Sequence, residues 1–181
     1  MKLLLSSAAL TLAVIAAGAP PAAAYDEPFG PACSALPSSG AGSVGAMADE
    51  PVATAAAGNP ALSTLTTAVT KAGLADTLNS AKDITVFAPT NEAFDAIPKQ
   101  TLDAVLADKE KLTKILTYHV VKGEKAPSDL ADAKLTTLEG GQLTAARSGD
   151  GYTVNGAKVV CGDVRTSNAT VYLIDKVLMP A

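Results

Sequence analysis

The only histidine among the 181 residues is His119, which follows Tyr118 in the stretch KILTYHVVKG, residues 114–123. An imidazole beside a phenol could act as a general base, bind a partner, or pack inside with a ring nitrogen hydrogen-bonded. A hydrolase would also need a nucleophile and an orienting group. Ser43 offers the nearest pattern, because AGSVG resembles a nucleophile elbow and GAGSVG, residues 40–45, fits G-x-G-x-x-G. No strand precedes either pattern, so both read as decoys. Glu92 and Asp95 are a carboxylate pair that could suggest glycoside hydrolysis. Their place directly after a short strand fits acids at a helix N-terminus better. Asp129 and Asp132, beside Ser128, read as a cap and a solvated face. One histidine and two distant cysteines give no metal-ligand spacing, so neither metal nor cofactor is expected. With no tryptophan, there is no stacking platform for a sugar.

The surroundings of these residues suggest an exported chain. Residues 1–24 have a single basic residue, Lys2, an apolar run and a close of Ala22-Ala23-Ala24. That is the layout of a secretory signal peptide cleaved after Ala24. Lipid anchoring is the alternative, but Cys33 lies beyond the cleavage point and behind a proline. The formal net charge is −4, and one unit more negative once Lys2 leaves with the leader. With no basic cluster, binding to nucleic acid or to an anionic membrane surface is not expected. No later segment is long and apolar enough for stable membrane insertion. In an exported protein, Cys33 and Cys161 read as one disulfide, worth about 5 kcal/mol at most for so long a loop.

The elements that must position these residues are legible in part. Residues 25–58 are rich in Pro, Gly, Ser and Ala and read as an arm. Asn59 and Pro60 then open a helical pattern on Leu62, Leu65, Val69 and Ala72, stopped by Gly73. DITVFAPT, residues 83–90, reads as a strand ended by Pro89. Thr101 is expected to cap a helix carrying Leu102, Val105 and Leu106. The next stripe is Leu112, Ile115 and Leu116, and its following position is His119, which points the histidine inward. The last third alternates like strands, with Asn155-Gly156 as the clearest hairpin turn. Helices followed by an antiparallel sheet indicate an α+β domain.

Three stretches then converge on one family. TVFAPTNEAF (residues 85–94), ILTYHVVKG (115–123) and SNATVYLIDKVLMP (167–180) resemble, in order and spacing, the signatures of fasciclin-like domains. The resemblance covers about residues 50–181 and places the fasciclin-like domain at 59–181. It implies an α+β fold, an antiparallel β wedge with packed helices. It also implies an extracellular adhesion or interaction module, non-enzymatic, whose partner is a protein on a cell surface or in matrix. In animal members the tyrosine-histidine segment is proposed as an integrin contact, which nominates Tyr118 and His119 as binding residues. Tyr172 stands where many relatives have a histidine, so a mechanism needing two histidines is not available. The expectation is a secreted, extracellular monomer, or one associated with the cell wall. The alternatives are a carrier of a small apolar ligand or lipid and a hydrolase using His119.

Overall fold

The computed structural model describes residues 27–180; the leader read at 1–24 lies outside them. Among the described residues, seven α-helices and seven strands follow in chain order, besides three short 3-10 turns. The helices are α1 (Val44–Asp49), α2 (Val52–Gly58), α3 (Ser63–Ala72), α4 (Ala75–Ser80), α5 (Asn91–Asp95), α6 (Lys99–Ala107) and α7 (Lys109–Tyr118). The strands are β1 (Ile84–Pro89), β2 (Val120–Lys122), β3 (Asp132–Thr136), β4 (Gln142–Ser148), β5 (Gly151–Val154), β6 (Ala157–Arg165) and β7 (Ala169–Ile174).

The strands form one sheet in the order β2-β1-β7-β6-β5-β4-β3. It is mixed, not antiparallel throughout as the sequence suggested. β1 pairs antiparallel with β2 but parallel with β7, Val86 lying opposite Val171. Local hairpin signals report only neighbours in the chain, and β1 and β7 are brought together by everything between them. The sheet curls until its two ends meet. Val121 bridges Thr137, and the Leu138 N–H donates to the Val120 carbonyl at 2.7 Å.

Both faces of the central strands are buried, which explains their near-continuous apolar runs. Along β1, Val86 joins a cluster under the helices with Leu62, Val69 and Leu116, while Phe87 joins the cluster inside the curl with Leu143 and Val154. β7 divides in the same way, Val171 to the helices and Tyr172 to the inside of the curl.

Helix starts and stops follow local chemistry where local chemistry suffices. Asp108 caps α7, its Oδ1 accepting from Glu110 and Lys111 N–H groups at 3.1 Å. Gly73 ends α3 with φ 71°, a conformation a side chain would strain. α6 starts two residues before Thr101, with Pro98 as its N-cap residue, so Thr101 lies inside the helix.

The stretch read as an irregular arm contains α1 and α2. Ser43 is the N-cap of α1, its Oγ accepting from the Ala46 N–H at 3.3 Å. The serine of the apparent elbow is therefore a helix cap. α2 follows Pro51, which has no side chain that can cap, and its first N–H groups are met from elsewhere. Asn168 Oδ1 accepts from Val52 at 2.8 Å and Asn79 Oδ1 from Ala53 at 2.9 Å. Met47, Val52 and Ala55 of the two helices are buried in the core.

Ahead of α1, the chain is tied to β6. Cys33 and Cys161 form a disulfide with Cα atoms 4.9 Å apart, spanning 128 residues of sequence. Phe29 pairs with Gly162 through two backbone hydrogen bonds, and a Cβ on Gly162 would overlap the Phe29 ring.

Candidate functional site

His119 terminates α7 and is 2% exposed. Its Nδ1 lies 2.7 Å from the Ile115 carbonyl, one turn back, and the Leu178 N–H donates to Nε2 at 2.9 Å. A carbonyl can only accept and an amide N–H can only donate. The ring is therefore the neutral tautomer with its proton on Nδ1. Burial lowers its pKa from 6.5 to about 4, against a smaller upward pull from the Ile115 hydrogen bond. A general base needs a free lone pair, and the one on Nε2 already holds the C-terminal segment in place.

Tyr118 faces the inside of the curl and is buried as well. Its hydroxyl donates to the Gln142 carbonyl at 3.1 Å and accepts from Asn155 Nδ2 at 3.0 Å. Asn155 opens the β5–β6 turn, with φ 47° there and 79° at Gly156, and its Oδ1 also accepts from the Thr144 N–H at 2.8 Å. The residue nominated as a hairpin former thus also anchors the tyrosine.

Two asparagines that sequence reading passed over as site residues complete the junction. Asn168 donates through Nδ2 to the carbonyls of Leu78 and Ala81 at 2.8 and 2.7 Å while capping α2 through Oδ1. Asn91 Oδ1 accepts from the Thr64 N–H at 3.0 Å, and its Nδ2 donates to the Pro60 carbonyl at 2.8 Å. Both lie in the quoted signatures, and that placement was their only signal.

The inner strut is Tyr172, whose hydroxyl donates to the Lys125 carbonyl at 2.6 Å. Burial, and secondarily the negative charge of buried Asp163, hold its pKa well above the usual phenol value. Asp163 itself forms an ion pair with Arg165 at 3.2 Å. Thr85 pins the same segment as Tyr172, donating to the Gly123 carbonyl and accepting from the Lys125 N–H.

The remaining candidates do not assemble. Glu92 and Asp95 are exposed on α5. Asp129 caps the turn Pro127–Leu130, accepting from the Ala126 N–H at 3.0 Å, and Asp132 is exposed on β3. Among the described residues, no three His, Cys, Asp or Glu side chains converge as metal ligands. Cys33 is committed to its disulfide and is not free to accept a lipid.

Beside His119 lies a feature the sequence did not reveal. A cavity of about 270 Å³ opens between α2, α3 and α4 and ends on Phe87, His119 and Val120. Ala53, Ala56 and Ala57 of α2 form one wall, and Leu65 and Val69 of α3 form another.

The arrangement can be set beside known proteins. The model of the Fasciclin domain matches residues 60–180. The chain belongs to the fasciclin domain family. It is 45% identical over 183 residues to Immunogenic protein MPB70 of Mycobacterium bovis, covering 97% of this chain and 94% of that one. It is 51% identical over 146 residues to Cell surface glycolipoprotein MPB83 of the same species, covering 78% of this chain and 66% of that one. A solved FAS1 domain pair from the insect cell adhesion molecule Fasciclin I superposes with a TM-score of 0.55 at 25% identity. That match covers 65% of this chain and 45% of the insect chain. The fasciclin signatures coincide with the junction: Phe87 N–H donates to the His119 carbonyl at 2.8 Å and Thr90 N–H to the Ile174 carbonyl at 3.1 Å. An extracellular, adhesion-type module is what this membership supports. No helix among the described residues is long and apolar enough to cross a membrane.

Proposed function

We propose that this fasciclin domain is a secreted, non-catalytic adhesion module that binds a protein on a cell surface or in matrix. The observation that carries the reading is the state of His119, whose two ring nitrogens are both engaged inside the fold. Tyr118 and His119 then serve as internal struts, not contact residues. Their neighbours hold surface loops: Thr85 and Tyr172 pin residues 123–126, and Tyr118 anchors the end of residues 137–142. Loops fixed before a partner arrives lose less entropy on binding. The exposed charged side chains of these loops are Glu124 and Glu139, and Lys125 is half-buried. The disulfide suits an oxidising, extracellular setting.

The test couples the purified protein to beads and measures attachment to intact cells and to films of matrix protein. Saturable attachment, weakened by Glu124→Lys or Glu139→Lys in variants that melt like wild type, is expected. No attachment, together with ester hydrolysis that disappears in His119→Gln, would replace this reading with the hydrolase.

A further inference from the structure

We infer that the cavity over β1 is a binding site for an uncharged alkyl or acyl chain of about ten carbons. This stands independently of the adhesion reading, because none of the cavity's lining residues belongs to the loops proposed as contacts.

Three observations give the ligand its chemistry. First, no side chain lining the cavity carries a charge, the buried His119 being neutral. An ion placed there would lose its hydration with nothing to replace it. Second, the hydrogen-bonding groups in the lining are turned to internal use. Thr66 donates to the Leu62 carbonyl and Thr70 to the Thr66 carbonyl. Asn79 accepts from the Ala53 N–H and donates to Thr54 Oγ1. The chamber is thus suited to a guest that asks for no directed hydrogen bond. Third, its size sets the length. An apolar cavity of about 150 Å³ takes a six-carbon ring. On the same scale the 270 Å³ found here takes about ten carbons.

The path in is also visible. Thr54 and Ala57 of α2 and Thr70 of α3 are exposed at the rim, whereas Phe87, His119 and Val120 at the floor are buried. A chain would enter methyl end first, with any polar head left at the rim among hydroxyls. The shared chemistry is therefore a chain of medium length, whether a free molecule or one tail of a larger lipid.

The probe is a series of straight 1-alkanols from six to fourteen carbons, titrated calorimetrically into purified protein after organic extraction. The affinity is expected to rise about fourfold per methylene and to level off near ten carbons. The single imidazole reports position, because a chain reaching the floor shifts the His119 signals in NMR. Ala56→Phe should fill the chamber and abolish both effects. Thr70→Trp, at the exposed rim, should do the same if the first variant does not fold. Competition by dioctanoylphosphatidylcholine below its micelle threshold would identify a lipid tail with its head outside; failure to compete would identify a free molecule. The inference is overturned by the absence of saturable heat. It is equally overturned by binding that survives both variants, or by affinity that climbs without levelling and leaves the His119 signals unmoved.

Discussion

The junction around His119 and the helical layer over β1 share that residue as a wall, yet they are built on opposite rules. In the junction, polar side chains reach across the chain and each finds a complementary partner: His119 to Leu178, Tyr118 to Gln142, Asn168 to α2 and α4. In the helical layer, α2 presents alanines to the cavity and leaves about 270 Å³ unfilled. A satisfied polar network fixes one geometry, because any displacement strands a buried donor or acceptor. An alanine wall fixes little and leaves room. The contrast separates what makes the domain fold from what leaves it free to bind.

The largest effect that would test this contrast is expected at Asn168. Its amide holds the first N–H of α2 and the last carbonyls of α4 together, over a sequence separation of 116 residues for the Val52 bond. Asn168→Ala would leave those groups without partners and should cost about 3 kcal/mol in urea unfolding. Because α2 walls the cavity, the variant should also lose the alkanol site. A cost under about 0.5 kcal/mol would mean that water replaces the amide, and that the junction is not the rigid half of the molecule.

Next comes the pH dependence set by His119. The unfolded imidazole takes a proton below about 6.5, whereas the folded one stays neutral down to about 4. Stability fully present above pH 6.5 is therefore lost as pH falls from 6.5 to 4, by about 3 kcal/mol. Every ionisable group other than His119 is common to wild type and to His119→Gln. The difference in unfolding free energy between these two proteins should then change by about 3 kcal/mol between pH 7 and pH 4. Nitrogen shifts should show a protonated Nδ1 and a bare Nε2 from pH 5 to 8. A ring that titrates near 6.5 in the folded protein would mean that the strut is open to water.

These two residues also show how far the sequence can be read. The stripe Leu112, Ile115 and Leu116 pointed His119 inward, and it is buried. Gly73, Asn155-Gly156 and the β1 run were equally legible, because each acts through its own neighbours. The partner of the histidine was not legible, since Leu178 lies 59 residues away and contributes a backbone N–H that any residue but proline would supply. α2 was missed for a related reason. Its sequence, VATAAAG, has no strong apolar period and no cap of its own, because Asn168 and Asn79 cap it from a distance. The parallel β1–β7 pair was hidden in the same way. The signatures therefore mark the stitched junction, whereas the alanine-rich stretch set aside as an arm forms part of the cavity.

The smallest expected effect is the sharpest, because it applies one substitution to both kinds of site. Ala68 of α3 is fully buried in packed core, while Ala56 of α2 faces the cavity. Alanine and leucine differ little in helix propensity, so Ala→Leu compares only the space around each residue. At Ala68 the added carbons must displace neighbours, at a cost of about 2 kcal/mol. At Ala56 they enter space already open and bury apolar surface, so stability should hold within about 0.5 kcal/mol of wild type or rise. The two denaturation midpoints should therefore separate clearly. If Ala56→Leu were as damaging as Ala68→Leu, the chamber would have to be collapsed in solution. The helical layer would then be packed as tightly as the junction, and the apolar site would go with the contrast.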